Sequence, residues 1–350
     1  MDTSKNLEIS VLADDLTSAA DGAAPFVEAG LRASLGRGQL PSRLACVITV
    51  DSRTRSANRQ DAAATVARLT RQLAPRALLY KTVDSTLRGH VTAELEACFK
   101  ASGRKTVVFA PAFPAAGRTT VCGMQYVDGV PVAESVYGRD PAHPARHSAL
   151  AALIPDCIPH VILLDASTQD ELDAQVAVVE DAESILWVGS PGMAMALAKR
   201  FAPREAAPPI PPVTPGEPLI VIGSANPRSR QQADHLQRST GAALLRAPLL
   251  RDSNPSVVLR RLAQEAAHTL SNPRFGTLMA TGGDTMAAIL DLLDIREFEI
   301  LQELAPGFPL GLAILPQGRT LLLAMKAGGF GRDDALEHAL MRLRVLASPR

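Results

Sequence analysis

Aromatic side chains are scarce in this sequence: one Trp, three Tyr and nine Phe among 350 residues. That scarcity excludes a protein that holds single-stranded nucleic acid by stacking bases on rings. Excess charge is missing too, since 36 Lys and Arg stand against 36 Asp and Glu. A nucleic-acid binder ordinarily carries a basic surplus. Neither half conceals one, with 21 basic and 23 acidic residues up to residue 212 and 15 and 13 after it. The four cysteines, Cys46, Cys98, Cys122 and Cys157, show no C-x-x-C and no metal-ligand spacing. Such a pattern points to buried thiols in a reducing compartment, not to disulfides or a zinc site. No stretch approaches the roughly 18 apolar residues of a membrane span. The five or six apolar residues behind Asp2, Lys5 and Glu8 are too few for a signal peptide. The expectation is a cytoplasmic protein with neither a membrane nor a nucleic acid as partner.

What is present is a hydrophobic content of 47% and a length that suggests two domains. Short continuous apolar runs, Ile9–Ala13, Cys46–Val50, Ala77–Tyr80, Thr106–Ala110, His160–Leu164 and Ile185–Val188, alternate with helix-forming stretches. Continuous hydrophobicity suits strands of a parallel sheet covered on both faces, and the alternation implies βαβ units. Seven prolines then crowd between Phe201 and Pro218, where missing amide donors and fixed φ stop helix and sheet alike. This is the predicted linker, residues 203–218, between domains 1–202 and 219–350. Beyond it the alternation resumes, and Leu310–Leu315 with Thr320–Met325 reads as a strand pair. The fold class predicted is α/β: two domains, each a mainly parallel sheet flanked by helices.

Neither a Walker A motif nor a clean G-x-G-x-x-G occurs. Polar residues instead gather where strands should end, the place where open α/β sheets bind ligands. Asp14 and Asp15 follow the first strand; adjacent carboxylates there need a cation, a substrate hydroxyl or helix amides. One of them, or Thr17, also serves equally well as a helix N-cap. In Lys81–Gly89, Lys81 and Arg88 suit an anionic substrate, Asp84 a hydroxyl, and Ser85 and Thr86 its orientation. The competing structural use is a cap at Ser85 or Thr86 and an Asp84–Arg88 salt bridge. Arg53 is another candidate anion ligand, against the plainer reading of a surface arginine. Ala110–Thr119 reads as a rigid loop containing Arg118. In the second half, Thr281–Gly282–Gly283–Asp284 lies between strand and helix; glycines there let backbone amides approach a phosphate. Asp284 suits Mg²⁺ or an attacking hydroxyl. Lys326–Gly331 and Gly223–Asn226 offer similar loops. His143 and His147 are four apart, but Pro141 and Pro144 argue against a zinc-binding helix.

Taken in order, Ala13–Ala19, Lys81–Gly89, Ala110–Thr119, Thr281–Thr285 and Lys326–Gly331 resemble the four-carbon acid sugar kinases over nearly the whole chain. The departures are Ser18 for a usual glycine, Ala225–Asn226 for a small Cys/Ser pair, and Ala327 for a common serine. The resemblance implies a sugar-acid-binding domain followed by a nucleotide-binding domain, with the active site in the cleft between them. It implies ATP-dependent phosphorylation of the terminal hydroxyl of a threonate-, erythronate- or oxo-tetronate-type acid, with Mg²⁺. It makes Asp14, Arg53, Lys81, Thr82, Val83, Asp84, Ser85 and Arg88 substrate contacts. Ser224, Thr281, Gly282, Gly283, Asp284, Gly328 and Gly329 become nucleotide contacts, and Asp15 or Asp284 the base. On this reading Arg53 and Lys81 hold the substrate carboxylate while Asp14, Asp15 and Asp84 bind its hydroxyls. Metal ligands are not assigned, and a homodimer is expected on base rate alone. The competing readings are a non-catalytic sugar-acid sensor and a kinase of another small hydroxy acid.

Overall fold

Apolar runs of about five residues, each followed by a polar turn and an amphipathic stretch, become the strands and helices of the computed structural model. It describes residues 8–140, 143–202, 216–224, 226–240, 242, 244–248 and 254–347. The chain divides into two units, Met1–Ala207 and Pro208–Arg350. Residues 203–215, most of the proline-rich segment, lie outside the described residues, as does Ala225.

The first unit runs β1 (Ile9–Ala13), α1 (Leu16–Glu28), β2 (Ala33–Arg37), β3 (Val47–Asp51), α2 (Arg59–Leu73), β4 (Leu78–Thr82), α3 (Val91–Ser102) and β5 (Thr106–Ala110). It continues with β6 (Arg118–Val121), β7 (Met124–Val127), β8 (Val130–Pro131), β9 (Val161–Leu163), α4 (Gln169–Ala177), β10 (Ile185–Gly189) and α5 (Pro191–Phe201). Its main sheet has the order β2-β3-β1-β4-β10-β5-β9, and all these pairings are parallel. The strands β1, β3, β4 and β10 are buried throughout, as a sheet covered on both faces requires. On one face Val66, Leu69 and Leu73 of α2 and Val91, Leu95 and Cys98 of α3 pack with strand residues such as Leu12, Leu79 and Val107. The chain leaves β1 toward β2 and leaves β3 toward β4 on the other side of β1. The strand order therefore reverses at β1 and β4, whose carboxyl ends flank a crevice of the kind that binds ligands.

The second unit comprises β11 (Glu217–Ile222), α6 (Pro227–Thr240), β12 (Leu244–Arg246), α7 (Pro255–Leu270), β13 (Phe275–Thr281) and α8 (Gly283–Leu292). It ends with β14 (Glu297–Glu303), β15 (Pro309–Ile314), β16 (Thr320–Lys326) and α9 (Ala335–Ala347). The strands β12-β11-β13-β16 are parallel, and β15 and β14 extend the sheet as an antiparallel meander. Ala233 and Leu236 of α6 and Leu336, Leu340 and Leu343 of α9 cover one face.

Both units are thus α/β with mainly parallel sheets. Five strands went unread in the sequence: β2, β14 and the three of the small antiparallel sheet β6-β7-β8. The segment expected as a rigid loop, 110–119, instead holds a short 3₁₀ turn, Pro114–Ala116, and the start of β6. The cysteine expectation is corrected as well. All four thiols are free, but Cys98 alone is buried, while Cys122 and Cys157 are exposed. Among the described residues no helix is long and apolar enough to cross a membrane.

Candidate functional site

At the crevice of the first unit, backbone pairing sets the frame. Ser52 donates its amide (2.8 Å) and its hydroxyl (2.7 Å) to the Ala13 carbonyl. The amides of Thr54 and Arg55 donate to the Asp14 carbonyl at 3.0 and 3.1 Å. The loop after β3 is thereby laid along the end of β1. This pairing carries the Arg55 guanidinium to Asp14, which accepts from Nε and, at 2.8 Å, from Nη2. The same guanidinium reaches Asp15 at 3.2 Å and Asp84 at 3.8 Å. Three carboxylates from two loops therefore share one arginine that sequence reading passed over. Burial pushes the Asp14 carboxyl up, but the charge and hydrogen bonds of Arg55 outweigh it and hold the group below its usual range. For Asp84 burial is likewise overcome, by Arg88 and Arg55, and its carboxyl is held low.

Asp15 also has a structural task, accepting from the Ser18 amide at 2.7 Å as N-cap of α1. Its other oxygen is the one that faces Arg55. Asp84 accepts from the Thr86 hydroxyl at 2.7 Å and from Arg88 at 2.5 Å, so the expected Asp84–Arg88 bridge is present. Neither Ser85 nor Thr86 caps α3, however, because that helix starts later, behind His90. Arg88 also reaches Asp140 at 3.2 Å and lies 5.2 Å from the Tyr137 ring. Arg118 covers the same ring at 5.7 Å and donates to its hydroxyl at 2.9 Å.

Beneath the crevice a polar chain is closed off from solvent. Lys81 is 1% exposed; its ammonium bonds Glu94 at 2.8 Å and the Thr82 carbonyl at 2.8 Å. The other Glu94 oxygen accepts from Thr54 at 2.6 Å, and Thr54 meets Ser52 at 2.8 Å. Burial alone would lower the Lys81 pKa, but Glu94 and Asp14 raise it, so the ammonium form persists. Thr82, Val83 and Ser85 are buried, whereas Arg53 is exposed and adopts a φ of 60°. The Arg53 amide donates to Asp51 at 2.8 Å, and burial pushes that carboxyl up to about 7. Gln125, fully buried on β7, ties the small sheet to this site by donating to the Ser85 carbonyl at 2.8 Å. Gly89 is required by position. Its φ is +91°, and a Cβ there would lie 3.0 Å from Asp14 Oδ2 and 3.2 Å from Arg55 Cδ.

In the second unit the loops after β11, β13 and β16, three adjacent strands, approach closely where Gly282 and Gly328 face Ser224. A Cβ at Gly328 would stand 2.2 Å from Ser224 Oγ, and one at Gly282 would be 3.5 Å from the Ser224 backbone. Gly282, with φ +93°, occupies the N-cap position of α8 and supplies no side-chain cap. The start of α8 is therefore left without a side-chain cap, a favourable place for an anion. Asp284 is exposed, and Gly329 is half-buried in the loop after β16. That loop is clamped by Gln232, whose amide donates to the carbonyls of Phe330 (3.0 Å), Gly331 (3.2 Å) and Arg332 (2.7 Å). Ser229 adds a hydrogen bond to the Gly328 carbonyl at 2.8 Å. Among the described residues the fully buried Thr281 hydroxyl has no hydrogen-bond partner. A cradle lined by glycines, helix amides and an orphaned hydroxyl fits a phosphate chain. Among the described residues no three acidic, His or Cys side chains are grouped to hold a metal by themselves. A Mg²⁺ ion bound to nucleotide needs only a carboxylate or two and keeps several waters, and Asp284 is the carboxylate that this cradle offers.

The sequence matches two family models, a sugar-binding N-terminal domain over residues 9–159 and a nucleotide-binding C-terminal domain over 249–336. It is 32% identical to the D-threonate kinase of Bordetella bronchiseptica, over 96% of this chain and 97% of that one. It is 25% identical to the 3-oxo-tetronate kinase of Pseudomonas fluorescens, over 96% and 97%. Among solved structures, a Salmonella typhimurium protein described as a putative tRNA synthase shares the fold, with a TM-score of 0.78 at 22% identity, covering 96% and 99% of the two chains. A Bordetella bronchiseptica domain of unknown function, solved as a domain-swapped dimer with bound citrate, aligns at TM-score 0.51 and 30% identity over 96% and 98%.

Proposed function

The chain belongs to the four-carbon acid sugar kinase family, and on that premise we propose that it transfers the γ-phosphoryl group of ATP to the terminal hydroxyl of such an acid, D-threonate first among the candidates. The observation that carries this reading is the gathering of Asp14, Asp15 and Asp84 around Arg55. Carboxylates fixed in direction are acceptors for a row of substrate hydroxyls, and Asp14 and Asp84 are held low. The substrate carboxylate goes to Arg53, the exposed cation at the rim. Lys81 acts from below, since its ammonium is already bound to Glu94. Citrate in the Bordetella structure, itself a hydroxylated carboxylate, supports an anionic hydroxy acid as ligand, and the dimer there supports a dimer here.

Phosphoryl transfer asks little covalent chemistry of a protein, so its residues act by positioning and charge neutralisation. Ser224, Thr281 and the amides of Gly283, Gly328 and Gly329 hold the phosphates, and Gly282, whose amide is taken by the Lys326 carbonyl, contributes its lack of a side chain. Asp284 would hold a Mg²⁺ ion, which would supply charge neutralisation for the phosphates. Asp15 or Asp284 takes the hydroxyl proton, a role worth about 10²–10⁴ in rate. Asp15→Asn separates chemistry from folding, because asparagine caps a helix as well as aspartate does. An ATP-consumption screen against four-carbon sugar acids and their epimers tests the reading. Turnover with at least one is expected, and none with any would overturn it. Comparing kcat for Asp15→Asn and Asp284→Asn assigns the base, and full activity in both variants would remove that role from the mechanism.

A further inference from the structure

We propose that Lys326 contacts the phosphates of the bound nucleotide and takes up a proton as they enter. The proposal rests on the kinase reading above and deepens it. Lys326 and Lys81 are a natural comparison. Each lies at the carboxyl end of a parallel strand, and each is 1% exposed. Lys81 has Glu94 against it at 2.8 Å. The Lys326 ammonium has only two carbonyls, Ala327 at 3.0 Å and Gly328 at 3.4 Å, and no carboxylate within ion-pair distance among the described residues. A buried cation without an anion is costly unless a ligand supplies one or the group gives up its proton.

The surroundings indicate that a ligand supplies it. The two carbonyls belong to the loop whose Gly328 leaves room beside Ser224. Across the β13–β16 register Lys326 stands opposite Thr281, whose buried hydroxyl has no partner among the described residues. The Gly282 amide donates to the Lys326 carbonyl at 2.9 Å, which sets the start of α8 beside the lysine. Amides, hydroxyl and ammonium therefore share one small region. The charged group that acts on Lys326 is Arg228 of α6, of the same sign; β13 presents Thr281 and α8 its first turn, with Asp284 exposed. Burial first, then Arg228, lowers the lysine to about 7. An arriving polyphosphate reverses that balance and favours the ammonium.

The test is calorimetric titration of the full chain with Mg-ATP, without sugar acid, in HEPES and in Tris. The dependence of the heat on buffer ionisation enthalpy counts the protons taken up. Uptake should be much larger at pH 8 than at pH 6, because the free value lies near 7 and bound phosphate raises it. Lys326→Met should abolish the uptake and weaken binding at least about tenfold. Lys326→Arg, permanently charged, should retain most of the affinity without the uptake. Binding of Mg-ATP with no buffer dependence, or uptake unchanged in Lys326→Met, would overturn the proposal and leave nucleotide binding intact. No binding of Mg-ATP to the unaltered chain would overturn the kinase reading along with it.

Discussion

Replacing Glu94 by glutamine should damage the first unit far more than its modest chemical change suggests. Lys81 and Glu94 side chains are 2% and 4% exposed and 2.8 Å apart. The substitution keeps an oxygen for the Thr54 hydroxyl, so what is lost is the countercharge. Removing one partner of a buried ion pair costs about 3–5 kcal/mol, because the other charge stays desolvated and alone. With a urea slope of about 2 kcal/mol per molar, the midpoint should fall by about 2 M. The assay has a built-in reporter. Trp187 is the only tryptophan in the chain, is fully buried, and sits on β10 opposite Tyr80 of β4, next to Lys81. Its fluorescence reports unfolding of this unit alone. A double variant, Lys81→Met with Glu94→Met, removes both charges and should recover most of the loss, since buried pairs replaced by apolar groups are often neutral. A shift below about 0.5 M for Glu94→Gln, or a double variant as unstable as the single one, would refute the reasoning.

Gly89→Ala should lower the thermal midpoint, with about 1–2 kcal/mol from the left-handed backbone alone. Because its Cβ would press on the Asp14–Arg55 pair, KM for the sugar acid should rise more than kcat falls in steady-state kinetics. Asp51→Asn should stabilise the chain more at pH 8 than at pH 5. Burial raises the folded-state carboxyl from 3.8 to about 7, so an ionisation penalty builds up through that window, reaching on the order of 4 kcal/mol. Asparagine still accepts the Arg53 amide, and thermal melts giving equal shifts at both pH values would count against this account. Gly328→Ala should weaken Mg-ATP binding about tenfold, roughly 1.4 kcal/mol, by displacing Ser224. Calorimetry checks it, and unchanged affinity would remove Ser224 from the contact set.

The strands that organise both units were legible because burial on two faces leaves an unbroken apolar run. Ile9–Ala13 and Thr106–Ala110 were readable to the residue. β2 was not, because Ser34, Gly36 and Arg37 break its apolar character although all three are buried. β14 carries Glu297, Glu299 and Glu303 and is partly covered, so it showed no continuous run. In the site, the strand-end clusters were visible as residue types, but their pairing was not. Arg53 and Arg55 are two residues apart in one polar loop, and only the fold shows that Arg55 turns inward. Glu94 drew no attention in the sequence, because an acidic residue in the first turn of a helix is commonplace. Gln125 and Gln232 gave no signal, because a glutamine that clamps carbonyls looks in sequence like any surface glutamine.

The small sheet β6-β7-β8 has a consequence for how substrate preference can diverge. The carboxylates and Arg55 are fixed by the ends of β1, β3 and β4, so altering them disturbs the frame itself. In the Arg118–Tyr137–Arg88 stack, Arg88 belongs to the loop after β4, whereas Arg118 on β6 and Tyr137 in a 3₁₀ turn after β8 come from the small-sheet segment, which Gln125 anchors to the frame. The segment's turns, Cys122–Gly123 and Asp128–Gly129, have positive φ, and a Cβ at either glycine would meet nothing within 4 Å. Insertions there can reshape the wall while the floor, the carboxylates gathered around Arg55, stays intact. Wall and floor are therefore separable modules, and a search for variants with a new acid specificity would begin at these two turns.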